Sequence, residues 1–118
     1  MINIRENKNR YAAGNIEIVS GYAPEALRHL PAPDRVFIGG SGGRLSDIVG
    51  CITEGMPSGI AVINAATIET LNEAVQSLER NGFKVDVSEI SVSRSKTISG
   101  KRHMSALNPI FIVTGEKV

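Results

Sequence analysis

The sequence predicts an α/β fold in which a mostly parallel sheet ends in an antiparallel hairpin. Three observations carry this reading. Apolar runs alternate with turn signals along all 118 residues, with no internal repeat and no low-complexity stretch. Ile60-Ala61-Val62-Ile63 is short and wholly apolar, the pattern of a central strand covered by helices on both faces. Lys84 to Val92 and Ile110 to Thr114 both read as strands with no helical pattern between them, so they pair antiparallel.

Taken in order, the charged stretch Ile2 to Arg10 reads as the tail of a helix, broken at Ala13-Gly14-Asn15, and Ile16 to Val19 reads as a strand. Pro24 suits the first turn of a short helix that carries Leu27 and Leu30 and stops at Pro31. Asp34 to Ile38 is the next strand and runs into Gly39-Gly40-Ser41-Gly42-Gly43. After these glycines Leu45, Ile48, Val49 and Ile52 share one helical face as far as Gly55, and Met56 to Gly59 turns the chain into the apolar strand. Thr67 can cap a helix in which Ile68, Leu71, Val75 and Leu78 keep the helical period, with Asn81-Gly82 as its left-handed exit. In Lys84 to Val92 the apolar phase changes between Val87 and Ile90, which predicts a bulge near Ser88 or Glu89. The connection from Ser93 to Pro109 exceeds the roughly 12 to 15 residues beyond which structureless loops are uncommon, and such loops are often lids or binding loops.

Composition narrows the function. Lys+Arg number 13 and Asp+Glu 12, a net charge of +1, so bulk attraction to nucleic acid or to an anionic membrane is absent and any such contact needs a local patch. The single cysteine, Cys51, allows no intrachain disulfide and no cysteine-cluster zinc site; on an apolar helix face it reads as core. No apolar run approaches the roughly 20 residues of a membrane span, and the charged start lacks the apolar segment of a signal peptide, so the expected location is cytoplasmic. Neither His29 nor His103 has metal-ligand spacing, and no metal is expected. Aromatic residues make up only 4%, which disfavours a stacking platform and predicts an aliphatic core into which the tyrosines and phenylalanines mostly pack.

Two segments can carry chemistry. Gly39 to Gly43 lies where a strand's carboxyl end meets a helix amino terminus, the place where open α/β sheets bind ligands. Its exposed amides favour an anionic group and its glycines allow close approach. It matches neither GxGxxG nor a P-loop, and a flexible turn with helix-entry glycines is the alternative. The connection after Ile90 holds Arg94, Lys96, Lys101, Arg102 and His103 and no acid before Gly115, which favours an anionic partner; a solvated loop whose cations meet only water and counterions is the alternative.

The blocks Gly21-Tyr22-Ala23-Pro24-Glu25-Ala26-Leu27, Pro31 to Gly43, Asn64 to Thr70 and Ala106 to Ile112 resemble the decarboxylating precorrin methyltransferases of cobalamin (corrin-ring) biosynthesis, the precorrin-6Y methyltransferase type, from about Asn7 to the end. The resemblance implies a Rossmann-like, class I S-adenosylmethionine methyltransferase sheet, of which residues 1–118 would be the carboxyl-terminal portion of one domain. It implies S-adenosylmethionine as cofactor and a polycarboxylate tetrapyrrole as substrate. Gly21, Tyr22 and Ala23 would border the adenine, with Gly39 and Gly40 also on the cofactor. Ser41, Gly42, Gly43, Asn64, Thr67, Arg94, Lys96, Lys101, Arg102 and His103 would line the substrate side. No catalytic base is identifiable, in keeping with methyl transfer that depends on positioning.

The family's first glycine-rich loop and its ribose-binding acid have no counterpart here; the matched segment opens at the helix after the family's second strand. The expectation of a different class is therefore a non-catalytic or assembly-dependent module that needs an amino-terminal half or a partner to form the cofactor site. With those strands absent, the strand Val36 to Ile38 has an open edge and Ile16 to Val19 loses its neighbour, which predicts a homo-oligomer.

Overall fold

The computed structural model describes residues 2–40 and 43–118. A helix, α1 (Ile2–Arg10), and a three-residue 3-10 turn (Glu25–Leu27) precede β1 (Arg35–Ile38). There follow α2 (Leu45–Thr53), β2 (Gly59–Ala65), α3 (Ile68–Arg80), β3 (Lys84–Ile90), β4 (Ser93–Ile98), β5 (Lys101–Ala106) and β6 (Ile110–Lys117).

One sheet has the order β1-β2-β6-β3. β1 runs parallel to β2, whereas β6 is antiparallel to both β2 and β3, so the described sheet is mixed, with one parallel pair. The terminal hairpin is as the sequence implied; the parallel share is smaller. Helices α2 and α3 pack on each other, and α3 lies on β2, β3 and β6. Leu45, Ile48 and Val49 from α2, Ala61 and Ile63 from β2, Ala74 and Leu78 from α3, and Val113 from β6 close the aliphatic core. β2 alternates buried and half-buried along its length, so one face is sealed by helices and the other, with Ile60, Val62 and Asn64, is only half-covered. Covering on both faces, expected from the apolar run, is not found.

Gly59 shows why β2 starts where it does. Its φ is +148°, and a Cβ there would stand 2.5 Å from both the Asp34 carbonyl oxygen and the Met56 side chain. Only glycine lets the chain pass this close, and the next amide, Ile60, then donates to Asp34 at 3.1 Å and joins β2 to β1. At the other end of the sheet, Thr67 caps α3 by accepting from the Thr70 amide at 3.1 Å, and Gly82 takes φ of +87° at its exit.

Four further expectations change. Ile16 to Val19 forms no strand: with no neighbour to pair with, a β-prone segment stays unladdered and both end residues are exposed. The short helix after Pro24 is one 3-10 turn that stops before Leu30. β3 pairs with β6 without interruption from Lys84↔Glu116 to Ile90↔Ile110, so the bulge near Ser88 does not exist. The long connection is no open loop but a second, two-stranded sheet, β4 with β5, turned at Ser99 and Gly100, both with positive φ as a tight hairpin turn requires. Every residue of β4 and β5 is exposed and α1 buries none. These projections raise the radius of gyration to 17.6 Å, against about 13.5 Å for a compact domain of this length.

Candidate functional site

The site is built at one end of the sheet, where its strands terminate. β1 and β2 are parallel and end there at Ile38 and Ala65, and the pairs Ala65↔Phe111 and Ile90↔Ile110 bring the end of β3 and the start of β6 to the same place. Gly39 and Gly40, Asn64 and Thr67, and the β4–β5 hairpin all leave from it. This is the end at which α/β sheets present ligands.

The segment from Gly21 folds back toward the same place. Ser20, Gly21, Tyr22, Glu25, Ala26 and Arg44 surround a hollow of about 580 Å³. A larger groove, about 1640 Å³, runs along β1 between α2 and residues 23–33; Ala23, Gly39 and Gly40 line it, with Phe37 and Cys51 further along. The five residues implied as cofactor contacts are thus divided between two adjoining hollows, and Arg44 lines both. Tyr22 is 88% exposed, Tyr11 and Phe37 are also exposed, and only Phe83 among the aromatics is fully buried, so packing is not the rule for them. Cys51 is half-buried on the groove wall rather than sealed in the core, its thiol 3.9 Å from the Pro24 carbonyl oxygen.

The glycines differ among themselves. Gly40 has no positive φ, and open space lies where its Cβ would be; Gly43 is the left-handed residue, at φ +84°. The open space at Gly40 fits close approach of a ligand. Ser41 and Gly42 lie outside the described residues. Just past them, α2 starts on a fixed footing: Glu73 of α3 accepts from the Ser46 amide at 3.1 Å and from the Ser46 hydroxyl at 3.0 Å. Glu25, Arg44, Ser46 and Glu73 carry no signal of this in the sequence, because their contacts join distant segments.

Elsewhere at this end of the sheet, the Thr67 hydroxyl is already engaged, accepting from the Thr70 amide and donating to the Thr70 hydroxyl at 2.9 Å. A ligand there would share a helix cap. Asn64 is half-buried on the less covered sheet face. In the hairpin, cross-strand partners share a face. Arg94↔Ser105, Lys96↔His103 and Ile98↔Lys101 therefore present Arg94, Lys96, Lys101 and His103 together. Arg102, paired with Thr97, stands on the opposite face beside Met104 and Ser95. The five residues do not share one face. None of the four hairpin cations lies within salt-bridge distance of a carboxylate among the described residues.

The Glu25 carboxyl has a displaced titration. A hydrogen bond from its own backbone holds the carboxyl below its ordinary value, followed by the Arg44 hydrogen bond; partial desolvation opposes, and the charges of Arg44 and Arg28 add to the lowering. Among the described residues no group of three or more His, Cys, Asp or Glu side chains could hold a metal, and no helix is long and apolar enough to cross a membrane.

Comparison with known proteins agrees with this architecture. A profile of the precorrin methyltransferase domain matches residues 1–117. The chain is similar to a probable cobalt-precorrin-6B C(15)-methyltransferase (decarboxylating) of Pyrobaculum calidifontis, 37% identical over 97% of this chain and 58% of the relative. Among solved structures, the precorrin-6y C5,15-methyltransferase of Geobacter metallireducens superposes with a TM-score of 0.85 at 41% identity, covering 97% of this chain and 61% of the other. The precorrin 8W decarboxylase of Methanobacterium thermoautotrophicum gives 0.82 at 31% identity, with 94% and 61% covered. A SAM-dependent O-methyltransferase of Thermotoga maritima shares the fold at 15% identity and a TM-score of 0.50. The chain spans about three-fifths of the length of these precorrin relatives.

Proposed function

Because the chain belongs to the precorrin methyltransferase family, we propose that it supplies the carboxyl-terminal part of an S-adenosylmethionine-dependent, decarboxylating precorrin methyltransferase of cobalamin biosynthesis. The observation that carries this reading is that the Gly39–Gly40 turn and the cationic hairpin leave from the same end of the sheet, with the Gly21–Ala23 segment beside the first of them across Arg44.

Bound S-adenosylmethionine supplies an electrophilic methyl group. The residues that fit it are Gly40, with open space over its Cα, Gly39, Ala23 on the groove wall, and Gly21 with the exposed Tyr22 in the neighbouring hollow. Arg94, Lys96 and Lys101, on one face of the hairpin, orient the carboxylates of the tetrapyrrole by charge-assisted hydrogen bonds, with His103 beside them. Asn64 and Thr67 also contact the substrate in this reading, and Ser41, Gly42 and Gly43 carry the same role by resemblance. Holding a ring carbon and the methyl group in line is the contribution such a frame makes, and positioning alone lowers barriers substantially. Calorimetric titration of S-adenosylmethionine and of its demethylated product into the purified chain tests the cofactor half. Micromolar binding of both supports it, and no binding of either removes it for the chain on its own.

A second reading has its own observation. Among the described residues no strand pairs with the outer edge of β1, and Phe37 beside it is 65% exposed. A strand edge of this kind takes up a partner. In this reading the chain is an assembly-dependent module, completed by an amino-terminal half or by a second copy in a homo-oligomer, and it gains cofactor binding only then.

A further inference from the structure

We propose that Arg44 is a positioning residue: by pairing with Glu25 it clips the Gly21–Ala23 segment to the entrance of α2 and so fixes the two walls of the cofactor site relative to each other. The proposal rests on the functional reading above.

The two bodies it joins are each stiff. On one side, the Ala26 amide donates to the Tyr22 carbonyl at 2.8 Å, and Gly21, at φ +143°, lies so close that its Cβ would stand 2.8 Å from that of Ala26. Gly21, Tyr22 and the 3-10 turn therefore move as a unit, with Glu25 as its outward handle. On the other side, Arg44 is the residue immediately before α2, whose first turn Glu73 anchors to α3. Between the bodies, Nη1 of Arg44 stands 2.8 Å from Oε1 and 2.9 Å from Oε2 of Glu25, and its Nε reaches toward Asp47 at 3.8 Å. Among the described residues, the remaining side-chain hydrogen bond between residues 20–30 and α2 is the weak one from Cys51 to Pro24. Arg44 is also the residue shared by the linings of both hollows.

Magnitude separates this role from a structural one. The pair is about half-exposed, with side-chain accessibilities of 44% and 50%. Exposed ion pairs add little to global stability, so removing this one should leave the fold intact and loosen only the wall it holds.

The test uses the whole chain with Arg44→Gln, Arg44→Lys and the swapped pair Glu25→Arg with Arg44→Glu. Amide hydrogen exchange at Ala26 and Leu27, melting temperature and calorimetric titration of S-adenosylmethionine are measured on each. Arg44→Gln should speed exchange at these amides about fivefold and weaken cofactor binding by a similar factor, with melting nearly unchanged. Arg44→Lys and the swap should restore most of both. Unchanged exchange in Arg44→Gln overturns the clip. Faster exchange without loss of affinity overturns its role in the site, and an affinity loss that the swap leaves in full assigns Arg44 to direct ligand contact instead. If the parent chain binds no S-adenosylmethionine, the functional reading falls for the isolated chain, and the exchange data alone decide for or against the clip.

Discussion

Oε1 of Glu73, on α3, accepts from both the amide and the hydroxyl of Ser46 in the first turn of α2, at 3.1 and 3.0 Å. A carboxylate from a neighbouring helix thus does what an N-cap residue does locally: it satisfies an orphan amide and meets the positive end of the helix. The side chain at the cap position itself, Arg44, makes no capping bond and is directed to Glu25. With the Ser46 proton aimed at Glu73, the buried Ser77 hydroxyl donates to Ser46 at 3.0 Å and is satisfied in turn.

This arrangement predicts that Glu73→Ala destabilises the chain by about 1 to 2 kcal/mol, since an amide and a hydroxyl lose a charged acceptor in a partly buried place. Glu73→Gln should lose about half as much, because its amide oxygen still accepts. Urea denaturation of the three proteins decides it. Equal stability of parent and Glu73→Ala would mean that water replaces the carboxylate without cost.

Gly59 allows a sharper expectation. A methyl group there meets the Asp34 carbonyl and Met56 at 2.5 Å, at a φ that L-residues rarely adopt. Gly59→Ala should therefore cost about 3 kcal/mol or more, combining backbone strain with overpacking. Gly40→Ala, with open space at its Cβ and no positive φ, should leave stability nearly unchanged and reveal its effect in cofactor affinity. Thermal melts with parallel titrations separate the two.

The Glu25–Arg44 pair should fail on acidification in a defined direction. Glu25 titrates below its ordinary value of 4.5 in the folded chain, so the pair's contribution is complete above that value and disappears as pH falls through the lowered one. Exchange at Ala26 and Leu27, corrected for its intrinsic pH dependence, should rise as the pH falls below that ordinary value, and Glu25→Gln should abolish that rise. A flat parent profile would contradict it.

How much of this was legible in the sequence depended on whether a pattern had a core to answer to. α3 was readable from Thr67 to Gly82 because Leu71, Val75 and Leu78 face the core at helical spacing, although Ile68, read on the same face, is 73% exposed. The β4–β5 hairpin was not, because neither face packs on anything and its residues are mostly polar; Ser99-Gly100 was the only local turn signal. The false bulge has the same origin. Beyond Val85, β3 is exposed, so the phase change from Val87 to Ile90 has no buried face to violate. Ile16 to Val19 had strand composition without a strand's partner. The site's glycines and cations were visible as residue types, but the pairing that puts Arg102 opposite Arg94, Lys96 and Lys101 exists only in the hairpin register.

That register gives a control within the cationic patch. If the tetrapyrrole lies on the Lys96 face, replacing Arg94, Lys96 and Lys101 together by Gln should weaken its binding and flatten the salt dependence, while Arg102→Gln should change neither by more than about twofold. Binding of a soluble polycarboxylate porphyrin, followed by absorbance across a salt series, provides the measurement. If Arg102→Gln matches the triple substitution, the hairpin is wrapped on both faces and the one-sided reading falls.

The last expectation concerns association. Among the described residues β1 pairs on one side only, through Arg35↔Ile60 to Ile38↔Ile63, and its free edge lies along the large groove with Phe37 65% exposed. Unpaired strand amides beside an exposed aromatic ring attract another strand, and β1 has neither a proline nor a bulge to prevent it. Sedimentation at micromolar concentration should therefore show dimers or larger species. Phe37→Lys places a charge beside the open edge without touching the buried Ile38, so it should shift the population toward monomer and leave the melting temperature of dilute samples nearly unchanged. A parent chain that sediments as a monomer throughout would show that the edge is satisfied by water alone. Persistent dimers of Phe37→Lys would move the interface away from β1, with the exposed hairpin the next surface to test.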